Sequence, residues 1–173
     1  DGRRYEIIEG ELYEMPSPNL WHAKTIMNLI ALLLPVVASL RGQLYTASLD
    51  VFFPGANPVI PDILAILPGS RAVGRMRGVE GPPDLVIEVL SPSNRGHDLL
   101  TKRALYARAG VREYWLVDPE SRSVEILTLD RDALQGAASA SGEAMIGSPL
   151  LAADFALTAI FATIDDHAES ESP

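Results

Sequence analysis

Pro61-Asp62-Ile63-Leu64-Ala65-Ile66-Leu67 and Asp84-Leu85-Val86-Ile87-Glu88-Val89-Leu90 are two short apolar runs, each carrying an acid. Their length and their Gly and Pro boundaries predict buried strands. A carboxylate inside such a strand costs on the order of several kcal/mol unless it is paired or holds a metal. If the two strands are neighbours, Asp62 and Glu88 reach one divalent ion. That is the chemistry of a metal-dependent phosphodiesterase.

Outward from these runs the chain is readable in pieces. Residues 4–15 alternate polar and apolar around Gly10 and predict a β-hairpin. Asn19 offers cap chemistry for a helix from Leu20 to Leu40, whose apolar stretch from Ile26 contains Pro35 and reads as buried. Leu44–Phe53 reads as a strand carrying Asp50, and Pro54–Pro58 as a turn. Pro68–Pro83, with four glycines and three arginines, reads as a flexible loop beside the site. After the Glu88 run comes the turn Ser91-Pro92-Ser93-Asn94, then a helix from Asp98 to about Arg108 closed by Gly110. Glu113–Val117 and Ser123–Leu129 predict two strands joined at Asp118-Pro119. Residues 133–147 are rich in Ala, Ser and Gly and read as a loose loop, followed by an apolar segment from Phe155 to Ile164. The expectation is one domain over 1–164, an α/β fold with a mixed sheet and flanking helices, and an acidic, disordered tail over 165–173.

Composition narrows the class. With 173 residues, 47% hydrophobic and 21% charged, the chain is sized for one core. It has no cysteine, which excludes disulfides and thiolate metal sites. The stretch Ile26–Leu40 is too short to span a bilayer, and no membrane association is expected. No secretory leader is legible and a cytoplasmic location is expected; the chain starts at Asp1 without methionine, so native residues upstream are expected too. The net charge of −9 opposes nucleic-acid binding, but it is uneven. From Arg71 to Arg112, eight basic residues face four acidic ones, +4, which leaves −13 for the rest. The positive segment flanks Glu88. It is either a phosphate-facing patch or ordinary solvated charge.

The order Pro61-Asp62, then Glu88-Val89-Leu90, resembles the PD-(D/E)xK signature of nucleases, with Leu90 where the lysine is expected. In some branches that lysine moves to the next helix, where this chain has Asp98-Leu99-Leu100-Thr101-Lys102. Together with Glu88-Val89-Leu90-Ser91-Pro92-Ser93, the stretch Tyr106-Ala107-Arg108-Ala109-Gly110-Val111-Arg112-Glu113-Tyr114-Trp115-Leu116-Val117-Asp118-Pro119 is similar to the Uma-type restriction-endonuclease family. The resemblance covers about Tyr5 to Leu129. It implies a restriction-endonuclease-like core and a Mg²⁺- or Mn²⁺-dependent endonuclease acting on DNA, with RNA left open. It also implies a homodimer, since duplex cleavage needs two cuts.

On this reading Asp62 and Glu88 hold the metal, and a strand carbonyl such as that of Val89 adds a ligand. Positions 88 and 90 face the same side, so Leu90 leaves a gap that Lys102 fills from the helix. Otherwise Lys102 is a surface partner of Asp98 at i,i+4. His22 is a base, a phosphate contact or a helix-terminal packing residue. Glu11 is a further metal-facing acid or the polar side of its strand. Arg75, Arg77 and Arg95 are the candidate nucleic-acid contacts. Tyr114 and Trp115 are core or dimer-interface aromatics, and the strand 114–117 and segment 155–161 are the expected dimer contacts. Two rivals stand beside the nuclease. One is a catalytically inactive nuclease-fold protein that binds nucleic acid or regulates. The other is a dimeric scaffold whose acids are merely paired, Asp62 with an arginine between Arg71 and Arg77.

Overall fold

The computed structural model describes residues 4–8, 11–15, 19–46, 49–91 and 97–163, with side chains over 19–46, 49–91 and 100–163. The hairpin expected at the start is present: β1 (Arg4–Ile8) pairs antiparallel with β2 (Glu11–Met15). Helix α1 (Leu20–Ser39) begins at Asn19, whose side chain accepts from the His22 backbone N–H at 2.8 Å.

The core is a six-stranded mixed sheet. It combines β3 (Gln43–Thr46), β5 (Ile63–Ile66), β8 (Leu85–Val89), β9 (Glu113–Asp118), β10 (Ser123–Asp130) and β11 (Ala133–Ser141) in the order β11-β10-β9-β8-β5-β3. Only β8 and β9 run parallel, connected across the sheet through α2 (His97–Ala109). Both faces of the sheet are covered, which is why β8 is buried at every position. On one face Ile63, Ala65, Leu85, Ile87, Val89, Trp115 and Val117 pack against Leu29, Leu33 and Val37 of α1. On the other, Leu64, Val86 and Tyr114 pack with Leu105 and Tyr106 of α2. Gly110 takes φ +93 and its N–H returns to the Tyr106 and Ala107 carbonyls, closing α2 as expected.

Several expectations change. The single strand expected over 44–53 is two: β3 in the main sheet and β4 (Val51–Phe52), which pairs parallel with β7 (Gly78–Glu80). The loop expected over 68–83 contains β6 (Val73–Arg75) and β7, a hairpin that completes a small three-stranded sheet. The loose loop expected over 133–147 is β11, laddered along the whole of β10, and β12 (Met145–Ser148), which pairs with β13 (Ala153–Ala156). Pairing with an established neighbour overrides the low strand preference of Ala, Ser and Gly. The segment after β13 is one helical turn, α3 (Leu157–Ile160).

The dimer contacts expected at 114–117 and 155–161 are corrected. Tyr114, Trp115 and Val117 have no exposed surface, because β9 lies inside the sheet, and Phe155, Leu157, Ile160 and Phe161 close the core below α1. Asn28 ties α1 to that end by donating to the Ile160 and Ala162 carbonyls at 3.0 and 3.1 Å. The expectation of a buried α1 also changes. The helix has the length and apolar composition to cross a membrane, yet only the stripe Thr25, Leu29, Leu33 and Val37 is buried, against the sheet. Its outer face is open. The expected tail over 165–173 lies outside the described residues.

Candidate active site

β5 and β8 are antiparallel neighbours with Ile63 opposite Ile87, so Asp62, just before β5, lies level with Glu88. Strand alternation sends Ile87 and Val89 to the α1 face and Val86 and Glu88 to the α2 face. The Glu88 carboxylate is therefore delivered into an apolar layer, where it is 4% exposed. α2 supplies its partners. The Tyr106 hydroxyl donates to Glu88 Oε1 at 2.7 Å, and Lys102 Nζ donates to the same oxygen at 3.3 Å. Lys102 and Tyr106 are four residues apart and project from one helix face. Lys102 is 5% exposed, so it is not a surface partner of Asp98. The Tyr106 ring is fully buried, edge-on to Phe53 at 6.2 Å and tilted against Tyr114 at 5.1 Å.

Asp62 is gripped from two other sides. The Val89 N–H donates to Asp62 Oδ2 at 2.8 Å, tying the carboxylate across to β8. His22 Nε2 lies 3.3 Å from the same oxygen. The Asn19 cap sets the first turn of α1 and so fixes where His22 points. Burial lowers the His22 pKa. The Asp62 carboxylate beside it, the charge of Glu88 and the nearby Val89 backbone outweigh it and hold the value above the ordinary 6.5. Among the described residues, buried Nδ1 of His22 meets no hydrogen-bonding group.

The result is two carboxylates from adjoining strands, Glu88 facing Lys102 of α2 and Asp62 facing His22 of α1. Asp62, Glu88, Lys102 and His22 are brought together. The Glu11 side chain and Arg95 lie outside the described residues, with Glu11 placed in β2 by its backbone. Arg75 and Arg77 are exposed around the turn of the β6–β7 hairpin, and Arg75 Nε pairs with Glu80 at 3.1 Å. The expected alternative partner for Asp62, an arginine between 71 and 77, is corrected. Arg71 is spent on the Ala109 carbonyl at 2.8 Å and Arg75 on Glu80, while Asp62 meets His22.

Sequence reading missed Tyr106, although the spacing Lys102-x-x-x-Tyr106 is its signal once α2 is known to face β8. It also missed Glu113, which has no exposed surface. Glu113 accepts from Trp115 Nε1 at 2.8 Å, Ser148 Oγ at 2.5 Å and Leu150 N–H at 2.9 Å. It lies on the opposite face of the sheet and pins β12 to β9.

Among the described residues no three His, Asp, Glu or Cys side chains are grouped to hold a metal. The donor set is instead two carboxylates and the adjacent Val89 backbone. Such a set suits a hard divalent cation that takes one or two carboxylates and fills its remaining positions with water and phosphate oxygens. It does not fit an ion caged wholly by protein.

The model of the Uma2 family, described as "Putative restriction endonuclease", matches residues 1–159. In structure the chain is similar to a putative nuclease belonging to DUF820 from Anabaena variabilis ATCC 29413. The TM-score is 0.71 at 21% identity, over 91% of this chain and 89% of that one. At this identity the likeness carries the fold, a restriction-endonuclease-like core of mixed sheet and flanking helices. No curated protein matches the chain.

Proposed function

The chain belongs to the Uma2 family of restriction-endonuclease-like proteins, and from that premise we propose a divalent-metal-dependent endonuclease that hydrolyses phosphodiester bonds of DNA. The observation that carries the reading is the buried Glu88 carboxylate meeting Lys102 and Tyr106 while Asp62 lies level with it on the next strand. No packing need explains an acid, a lysine and a phenol converging inside an apolar layer. Polar side chains buried this deeply persist for each other or for a ligand.

Asp62 and Glu88 hold Mg²⁺ or Mn²⁺, which supplies Lewis acidity for a water and for the phosphate charge. Lys102 replaces the strand lysine that Leu90 lacks. Pinned beside Glu88, its ammonium orients the attacking water and offsets negative charge as the new P–O bond forms and the bond to the leaving oxygen breaks. Tyr106 fixes the rotamer of Glu88 and so positions the site. The raised pKa of His22 keeps its ring cationic further up the pH range, which suits contact with the scissile phosphate better than service as a base. The exposed Arg77, with Arg75 and Arg95, would meet the nucleic-acid backbone.

The test is cleavage of plasmid, short duplex and single-stranded RNA with Mn²⁺, comparing wild type with Asp62→Ala. Metal-dependent cutting of DNA that the substitution abolishes is the expected result. Equal cutting by both proteins removes Asp62 from the chemistry. A second reading, an inactive nuclease-fold protein, draws on the partner that each acid already has within the fold, His22 for Asp62 and Lys102 for Glu88. It predicts Mn²⁺ or DNA binding with no turnover under any of these conditions.

A further inference from the structure

The β6–β7 hairpin ends in a tip that pairs an apolar side chain with two cations. Its turn is Met76-Arg77, reached from Arg75, and Gly74 and Gly78 stand just below it on the two strands. Three long side chains therefore sit on a neck with no side-chain bulk. Met76 is 104% exposed, more than any other large apolar residue among the described residues. Arg77 has no ion-pair partner among the described residues, and Arg75 shares only an exposed pair with Glu80. From 71 to 80 there are three arginines and one glutamate, +2 within a chain of −9.

The hairpin is a stalk, braced at its base. The Val79 N–H donates to the Asp50 carbonyl at 2.8 Å and the Gly81 N–H to the Phe52 carbonyl at 3.0 Å, fastening β7 to β4. Gly78 lies so close to this neighbour that a Cβ would strike the Asp50 carbonyl. Ala72 and Val79 are buried with Phe53 and Tyr106, in the apolar layer that also receives Glu88. Arg71 ties the start of the hairpin to the end of α2 through the Ala109 carbonyl. The tip thus projects from the layer that builds the site.

We infer that Met76 is a wedge for duplex DNA, entering the minor groove and pressing between two stacked base pairs while Arg75 and Arg77 lie against the phosphates at its rims. The inference rests on the reading of DNA as the substrate and adds to it a bend imposed on that substrate. A minor groove about 6 Å wide admits single side chains, and methionine is unbranched and pliable enough to enter one. Apolar side chains set between base steps kink a duplex, most cheaply at flexible pyrimidine–purine steps. The exposed Arg75–Glu80 pair is weak and exchanges readily for a phosphate. A protein partner fits less well, because one side chain is far short of the roughly 800 Å² that each side of a stable interface buries. A bilayer fits less well too, since surface binding scales with buried apolar area and the tip offers one methionine.

Short duplexes carrying 2-aminopurine at a central TA step test it, with Ca²⁺ in place of Mn²⁺ so that binding is read apart from cutting. Stacking quenches this base, so a wedge appears as a rise in fluorescence. Saturating wild type is expected to raise the signal several-fold, and more at TA than within a stiff A-tract. Saturating Met76→Ala is expected to leave it near that of free duplex. Arg77→Gln is expected to weaken binding and lower its salt slope by about one, with the rise kept at saturation. An undiminished rise in Met76→Ala, binding of wild type without a rise, or no binding overturns the wedge. A larger rise on the matching RNA duplex, or flotation with phosphatidylserine vesicles that Met76→Ala abolishes, overturns it in favour of RNA or a membrane. A rise without Mn²⁺-dependent cutting sinks the nuclease reading alone, and cutting without a rise sinks the wedge alone.

Discussion

Tyr106 and Lys102 spend their polar atoms on one oxygen, Glu88 Oε1, and they do different work there. Tyr106→Phe keeps the ring against Phe53 and Tyr114 but removes a donor from a buried carboxylate, so unfolding in urea should show a loss of about 1–2 kcal/mol. Unchanged stability would mean that Glu88 finds an equivalent donor elsewhere. Lys102→Met keeps the buried stem and removes the charge. It should leave Mn²⁺ affinity near wild type and slow cleavage by roughly 10²-fold or more, the scale of one preorganised charge aimed at a transition state. An unchanged rate would return Lys102 to a purely structural role. His22 adds a pH signature in metal-free protein. Its pKa is higher folded than unfolded, so its ion pair with Asp62 stabilises fully below about 6.5 and fades as pH rises through the folded value. The stability gap between wild type and His22→Gln, measured with chelator present, should shrink above that pH. A gap that widens with pH contradicts the assignment. That Asp62 and Glu88 lie level on adjoining strands was legible because acids inside apolar runs stand out, whereas Lys102 entered through the resemblance, as the helix lysine standing in for the one missing at Leu90. Tyr106 was not legible, because a tyrosine among apolar residues reads as core until its neighbour across the sheet is known.

Strands β5 and β8 and helix α2 were legible for the same reason that they build the site. Each is a periodic run with glycine or proline punctuation, and their adjacency follows from their antiparallel pairing. The misread stretches lack that signal. In 133–147 the large apolar residues are few, and β11 exists because β10 offers it a long ladder. In 68–83 the glycines concealed a hairpin whose partner, β4, is two residues long. Glu113 shows what binds the far end of the molecule together. Its carboxylate is the shared acceptor of Trp115, Ser148 and Leu150, so Glu113→Ala strands three donors in the interior. Loss of about 3 kcal/mol is expected in denaturant, with faster amide exchange at Leu150 and Leu151 and unaltered Mn²⁺ binding. A loss under about 1 kcal/mol would show that β12 is held by its apolar contacts instead.

The molecule as a whole is acidic, which is unfavourable for a protein that closes on DNA, and its positive stretch is confined to 71–112, the chain around β8 and α2. A divalent ion held by Asp62 and Glu88 would add positive charge where phosphate must approach, which ties binding of substrate to binding of metal. The nuclease reading depends on the two carboxylates holding an ion together. Calorimetric titration of Mn²⁺ into wild type, Asp62→Asn and Glu88→Gln measures that directly. One site per chain in wild type and none in either variant is the predicted result. Equal heats in all three proteins would contradict the account.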